Sequence, residues 1–235
     1  MRYTIIGLGQ FGQDLCHELS HRNMDIVAVG NTDESLEEVK DDVTYTVVVD
    51  YTNPIALREL ELDESSSVIV TIGDSFEQNL LVVSHLQKMG VKRIYARVMN
   101  SVHGYILRQM NVFKLINLSQ VASRQLASQL ESPEFIRTIP LDENHLIAEI
   151  ALPSFWVDKK LRDVELRTKH HLNLLTVRRG DSVTEQESKE FLSISPNPVL
   201  GTPDPDLIFE AQDVLVLFGR EDALLSFGNF SKGKN

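Results

Sequence analysis

The feature that most constrains this chain is its start, where a strand runs straight into three spaced glycines. Tyr3-Thr4-Ile5-Ile6 is followed by Gly7-Leu8-Gly9-Gln10-Phe11-Gly12, and then by Gln13-Asp14-Leu15-Cys16-His17-Glu18-Leu19. This is G-x-G-x-x-G between an apolar strand and an amphipathic helix, the context in which backbone builds an anion site. Gly7 permits a tight turn. Gly9 lets a phosphate approach the main chain, and Gly12 lets the helix pack against the strand. A helix beginning near Gln10 points unsatisfied N–H groups and its positive dipole end at the same place. Two readings follow: a nucleotide site, or a turn kept for packing that has lost its ligand.

The rest of the first half alternates strand and helix. Apolar runs predict strands over 2–6, 25–29, 45–49, 67–72, 94–98 and 112–116. Helix patterns fall over 11–22, 33–39, 53–60, 75–89 and 100–110, with Asn53-Pro54 and Asn100-Ser101 as starts and Gly90 as a stop. Six strands with helices between them imply an α/β fold, a Rossmann-like doubly wound parallel sheet with right-handed crossovers. A further helix over 119–130 leads to Ser132-Pro133, read as a boundary. The pattern then changes to a small α+β lobe. Its strands are expected over 135–140, 145–152, 172–178 and 213–218, and its short helices near 161–164 and 221–227. Gly180-Asp181 reads as a hairpin turn, 182–190 as polar and acidic, and 195–205, with four prolines, as a surface loop. Residues 1–132 are thus one lobe, 133–228 a second, and 229–235 a tail whose last five residues are expected to be disordered.

Composition excludes several function classes. A net charge of -11 argues against a nucleic-acid partner. Cys16, the single cysteine, rules out an intrachain disulfide and fits a buried thiol in a reducing compartment. The N-terminus enters a strand at once, without a signal sequence, and no apolar run approaches the roughly 20 residues that cross a bilayer. We therefore expect a soluble protein, still free to dock on a membrane protein.

Candidate ligand contacts lie at the carboxyl ends of the strands, where parallel sheets bind ligands. The ribose position at the end of the second strand holds Gly30 and Asn31, so the usual carboxylate is missing. Asn31 can donate to or accept from a hydroxyl, or the ribose is not contacted at all. Asp33 reads as a possible helix cap. Asp50 can accept from an adenine amino group or be a turn residue. Gly73 allows close approach, and Arg97 can meet phosphate or form a surface salt bridge. The histidines carry no metal spacing: His170-His171, read as strand neighbours, point to opposite faces. Trp156, after Pro153-Ser154-Phe155, is either a core plug or a partner surface. No nucleophile elbow, acid–base pair or P-loop is present, so no catalytic residue and no metal site is assigned.

The ordered motifs resemble the RCK (regulator of conductance of potassium) family, the TrkA/KtrA-like regulatory subunits of Trk/Ktr potassium uptake systems. Ile5-Ile6-Gly7-Leu8-Gly9-Gln10-Phe11-Gly12 looks like its I-G-x-G-R/x-F-G start, and Asp50-Tyr51-Thr52-Asn53-Pro54-x-x-Leu57 its G-D-A-T-x-P-x-x-L segment. Val68 to Asp74 with Asn79-Leu80 is similar to V-x-x-x-G-D-x-x-x-N-L, and Ile94-Tyr95-Ala96-Arg97 with Asn100 to I-x-A-R/K-x-x-N. The C-terminal half, with Pro203-Asp204-Pro205 and 213–219, resembles the smaller RCK lobe. The resemblance implies a non-enzymatic sensor of ATP, ADP or NAD(H). Its ligand contacts would be Gly7, Gly9, Gln10, Phe11, Gly12, Asn31, Asp50, Tyr51, Thr52, Gly73, Asp74, Asn79 and Arg97. It also implies homodimers joined through helix 119–130, an octameric ring, and a membrane-embedded potassium-translocating partner. The location would be cytoplasmic, peripheral at the inner face of the plasma membrane. Cyclic di-AMP, bound by the C-lobes of some relatives, would fall near Arg167. The chain departs from the family at Gly30, commonly acidic, at Gln10, often basic, and near Ser119, often acidic. The other classes considered are a small NAD(P)-dependent oxidoreductase and a regulatory module of a cation/proton antiporter.

Overall fold

The computed structural model describes residues 2–131, 135–180 and 198–232. The boundary at Ser132-Pro133, Asp181 of the expected hairpin turn, the acidic stretch 182–190, the first part of the proline-rich loop and residues 233–235 lie outside them. The chain divides into two compact units, Met1–Val121 and Ala122–Asn235.

In the first unit the strands are β1 (Arg2–Ile6), β2 (Asp25–Gly30), β3 (Tyr45–Val48), β4 (Ser67–Val70), β5 (Arg93–Arg97) and β6 (Lys114–Ile116). All pair parallel, in the order β3-β2-β1-β4-β5-β6. The chain winds outward from β1 to β3, returns, and winds the other way from β4. The crevice between β1 and β4 is therefore the topological switch point of a doubly wound sheet. Successive strand residues face opposite sides, and both sides are buried. Ile6, Val68, Val70, Ile94 and Ala96 share one apolar layer with Leu57, Val82, Val83, Leu86 and Leu107. Those partners sit on or beside α3 (Pro54–Arg58), α4 (Phe76–Lys88) and α5 (Ser101–Gln109). Ile5, Ile26, Ala28 and Ile69 share the other layer with Cys16 of α1 (Gln10–Ser20) and Leu36 of α2 (Asp33–Glu37).

Local chemistry sets the helix starts. Asn53 Oδ1 accepts from Ile55 N at 3.0 Å with Pro54 at the first helical position, and Asn100 Oδ1 accepts from His103 N at 2.9 Å. The cap of α2 is Thr32 rather than Asp33: its hydroxyl accepts from Ser35 N at 3.4 Å, and Asp33 instead opens the helix, where its charge suits the dipole. The chain passes between the units through α6 (Leu118–Glu131), on which Val121, Leu126 and Leu130 are exposed.

The second unit holds an antiparallel sheet of β7 (Phe135–Pro140), β8 (His145–Ala151), β9 (Asn173–Arg178) and β10 (Val214–Arg220) in the order β7-β8-β10-β9. Helix α8 (Glu221–Lys232) follows, and Phe209, Leu215, Leu217 and Phe227 are buried in its core. Trp156 is part of that core, 4% exposed and 5.2 Å from the Phe227 ring, so it is a plug and not a surface. The segment before β9 is a helix, α7 (Leu166–His170), and not a strand. His170 ends it and His171 is left-handed at φ 57°, so the two are not strand neighbours. The His170 ring packs against Phe230 and Phe227 at 4.9 and 5.1 Å. Among the described residues no helix is long and apolar enough to cross a membrane.

Candidate functional site

The carboxyl ends of β1, β2, β4 and β5 and the start of α1 form one edge. Gly7 leaves β1 at φ +98°, where a side chain is strained and would also meet Ile72 Cγ1 at 2.8 Å. Its N–H donates to Val29 O at 3.0 Å, which ties the turn to β2. A Cβ on Gly12 would collide with the Gly7 carbonyl and stand 3.0 Å from Thr71 Oγ1. Helix and turn thus touch backbone to backbone. Thr71 locks the arrangement: its hydroxyl hydrogen-bonds the Gly7 carbonyl and also lies 3.0 Å from Ile6 O. Sequence reading assigned Thr71 no role. Its only signal was a hydroxyl directly after the apolar run Val68-Ile69-Val70.

Gly9 differs from its two neighbours. It is the N-cap of α1 at φ −71° and ψ 177°, ordinary extended backbone, and a Cβ there would meet nothing within 4 Å. No side chain caps α1 and no acid stands in its first turn. The helix therefore presents its positive end uncompensated. Gln10, exposed, donates from Nε2 to Asp14 Oδ1 at 2.9 Å along its own helix.

Arg97 reaches across this edge. Its guanidinium lies over Gly73, where a Cβ would overlap Nη1, and its Cζ is 5.9 Å from the Phe11 ring centroid. Among the described residues no carboxylate forms an ion pair with it, so the salt-bridge alternative is not found. An unpaired guanidinium held over a ring beside an uncapped helix start is an arrangement suited to phosphate.

The remaining candidates divide. Asn31 is exposed at the end of β2, and Asp74 is exposed beyond Gly73. At Gly30 a Cβ would stand 2.5 Å from Ser35 Oγ and 3.2 Å from Leu36 Cγ, so α2 fills the space a side chain would need. Asp50 is exposed, and its Oδ1 accepts from Thr52 N at 3.0 Å and Thr52 Oγ1 at 2.6 Å. Those bonds hold its carboxyl below the usual carboxylate range. Asp50 and Thr52 are therefore joined in a turn, with the anion available at the edge. Tyr51 is instead a core side chain, 6% exposed, its phenol pushed up by burial and then by the charges of Asp74 and Asp50. Asn79 is fully buried below the edge. Its Nδ2 donates to Ile72 O at 3.0 Å and Arg97 O at 3.4 Å, stapling the ends of β4 and β5 together. Both side chains shape the edge from beneath rather than present themselves on it. In the second unit, Arg167 on α7 donates from Nε to Asn173 Oδ1 at 3.0 Å. Among the described residues no group of three metal-ligating side chains forms.

Known proteins share this architecture. The Ktr system potassium uptake protein C of Bacillus subtilis (strain 168) is 25% identical over 181 residues, covering 77% of this chain and 82% of that protein. The Ktr system potassium uptake protein A of the same organism is 23% identical over 229 residues, covering 97% and 96%. The crystal structure of the GsuK RCK domain superposes with a TM-score of 0.61 at 19% identity, covering 98% of this chain and 47% of that one, so this chain spans about half its length. The GsuK channel bound to NAD superposes with a TM-score of 0.57 at 20% identity, covering 95% and 38%. These likenesses establish that the fold runs through both units. The family model of the TrkA-N domain matches residues 3–118, the whole parallel sheet. Over that half the chain is similar to TrkA-N domains, and over nearly its whole length it is similar to the Ktr system potassium uptake protein A.

Proposed function

We propose that this chain is a non-catalytic regulatory subunit that binds an adenine nucleotide at the β1–α1 edge and so biases a membrane-embedded potassium-translocating partner. One observation carries the ligand: Gly9 is a glycine that the protein's own packing does not require. Gly7 is explained by its backbone and Gly12 by its neighbours. Gly9 has open space at its Cβ, at an uncapped helix start near a guanidinium with no ion-pair partner. A phosphate entering from outside accounts for all three features. In this reading Gly7 to Gly12 and Arg97 hold the phosphates, Asn31 meets the ribose and Asp50 the adenine amino group. Gly73 gives clearance, and Thr52, Asp74, Tyr51 and Asn79 hold the edge in shape. ATP, ADP and NAD(H) all carry the necessary groups. The near full-length match to the B. subtilis Ktr A protein supports a potassium uptake system as the setting. The exposed apolar residues Val121, Leu126 and Leu130 of α6 suit a homodimer contact, from which a ring is built. A nucleotide then moves the assembly only by its differential affinity for two shapes.

The test is a thermal-shift and calorimetric titration with ATP, ADP and NADH. At least one should raise the melting temperature. Gly9→Ser, which supplies a good N-cap, should fold as well as wild type and lose that response. Arg97→Gln should weaken binding about 10- to 100-fold, the loss of charge-assisted hydrogen bonds. A wild-type response in Gly9→Ser, or none in the parent protein, would overturn the ligand. A monomer on a sizing column at every concentration would overturn the assembly.

A further inference from the structure

A second cluster lies at the other end of α1, where His17 and His21 are one helical turn apart on one face. Their Nε2 atoms are 2.9 Å apart and their rings meet edge to face at 4.3 Å. Asp42 approaches from the turn after α2, its N–H donating to Val39 O at 3.0 Å, and its Oδ2 lies 3.1 Å from His17 Nδ1. In one tautomer Asp42 accepts from His17 Nδ1–H, which leaves the His17 Nε2 lone pair to accept from His21 Nε2–H. A metal ion that displaces the shared proton then sits to the side of the line between the two nitrogens, within bonding distance of both.

We propose that His17 and His21 bind a late first-row divalent metal ion through their Nε2 atoms, with Asp42 as the positioning residue for His17. Imidazole suits copper, nickel and zinc, and a carboxylate on the far ring nitrogen fixes tautomer and aim. The spacing discriminates among them. With metal–nitrogen bonds of about 2.05 Å, two ligands stand about 3.3 Å apart at a tetrahedral angle and about 2.9 Å apart at a right angle. The observed 2.9 Å is the right-angle bite, which favours Cu2+ or Ni2+ over Zn2+. A cation is also favoured there by the negative end of the α1 dipole. Cys16, next in sequence, is not a ligand: it is buried, and burial with the charge of Asp42 pushes its thiol up to about 12. The His17 side chain is 57% exposed, so water completes the coordination sphere.

The experiment uses the full chain without an added histidine tag, titrated with CuCl2 and with NiCl2 and no nucleotide present, so its outcome is independent of the nucleotide reading. Calorimetry should show one ion per chain at this site, with a copper visible and electron-paramagnetic spectrum of two equatorial nitrogens. His21→Asn, at an exposed position, should keep the metal-free melting temperature and lose at least tenfold in affinity. Asp42→Asn should lose about tenfold while keeping the two-nitrogen spectrum. Absence of saturable binding, or binding unchanged in His21→Asn, would overturn the site. The latter result would assign the ion to another histidine.

Discussion

Gly12 has no room for a methyl group. Its Cβ would overlap the Gly7 carbonyl and press on Thr71 Oγ1, both held by hydrogen bonds. Gly12→Ala should therefore cost about 1–3 kcal/mol, the usual penalty of overpacking, measured by denaturant unfolding. Gly9→Ser should cost nothing on the same scale, and the contrast separates a glycine that packing requires from one that packing leaves free. Both glycines were legible in the sequence, because spacing between a strand and a helix specifies a turn. What spacing does not give is direction. Tyr51 and Asn79 are polar residues inside matching motifs, yet both point inward. Thr71 sits in an apolar run, yet its hydroxyl fastens the turn. Whether a polar atom faces solvent or a neighbouring carbonyl depends on strands distant in sequence.

Elements show the same limit from another side. Strands and helices with a strong period were readable, and so were caps such as Asn53 and Asn100, whose side chains act within three residues. Helix α7 was not, since it is five residues long with one buried apolar position and begins after Glu165 at φ 51°. Its helicity comes from packing around Leu166 and His170, not from local preference. Beyond the backbone ladder of β4 and β5, the Asn79 side chain ties their carboxyl ends together. Asn79→Ala leaves two carbonyls without that donor, and should lower stability by about 1–3 kcal/mol. Because one of those carbonyls belongs to Arg97, nucleotide affinity should fall in the same variant. Isothermal titration of the folded variant checks this against a purely structural role.

Taken whole, the molecule has two units with separate cores, and among the described residues each contains a histidine whose pKa its surroundings lower. Burial lowers the His103 pKa in the first unit. In the second, burial and then the charges of Lys169 and His171 lower that of His170. A group with a depressed folded pKa takes up protons more readily when unfolded. Stability should therefore be full above the ordinary histidine value of 6.5 and fall as the pH drops below it toward the folded value. Melting curves from pH 8 to 5 should show the loss, and His103→Gln and His170→Phe should each flatten it, one in each unit. The two-unit plan was readable because the hydrophobic period changes after the parallel sheet. The environments of His103 and His170 were not, since the residues packed around each ring come from parts of the chain distant in sequence. Gly30 carries a final consequence, for the order in which such a chain can change. A carboxylate at position 30 has no space while the Ser35 hydroxyl stands 2.5 Å from its Cβ. An acid introduced at position 30 requires that residue 35 first shrink or rotate. The two positions are thus sterically coupled: a substitution at 30 that is tolerated with a smaller residue at 35 is a defect beside serine.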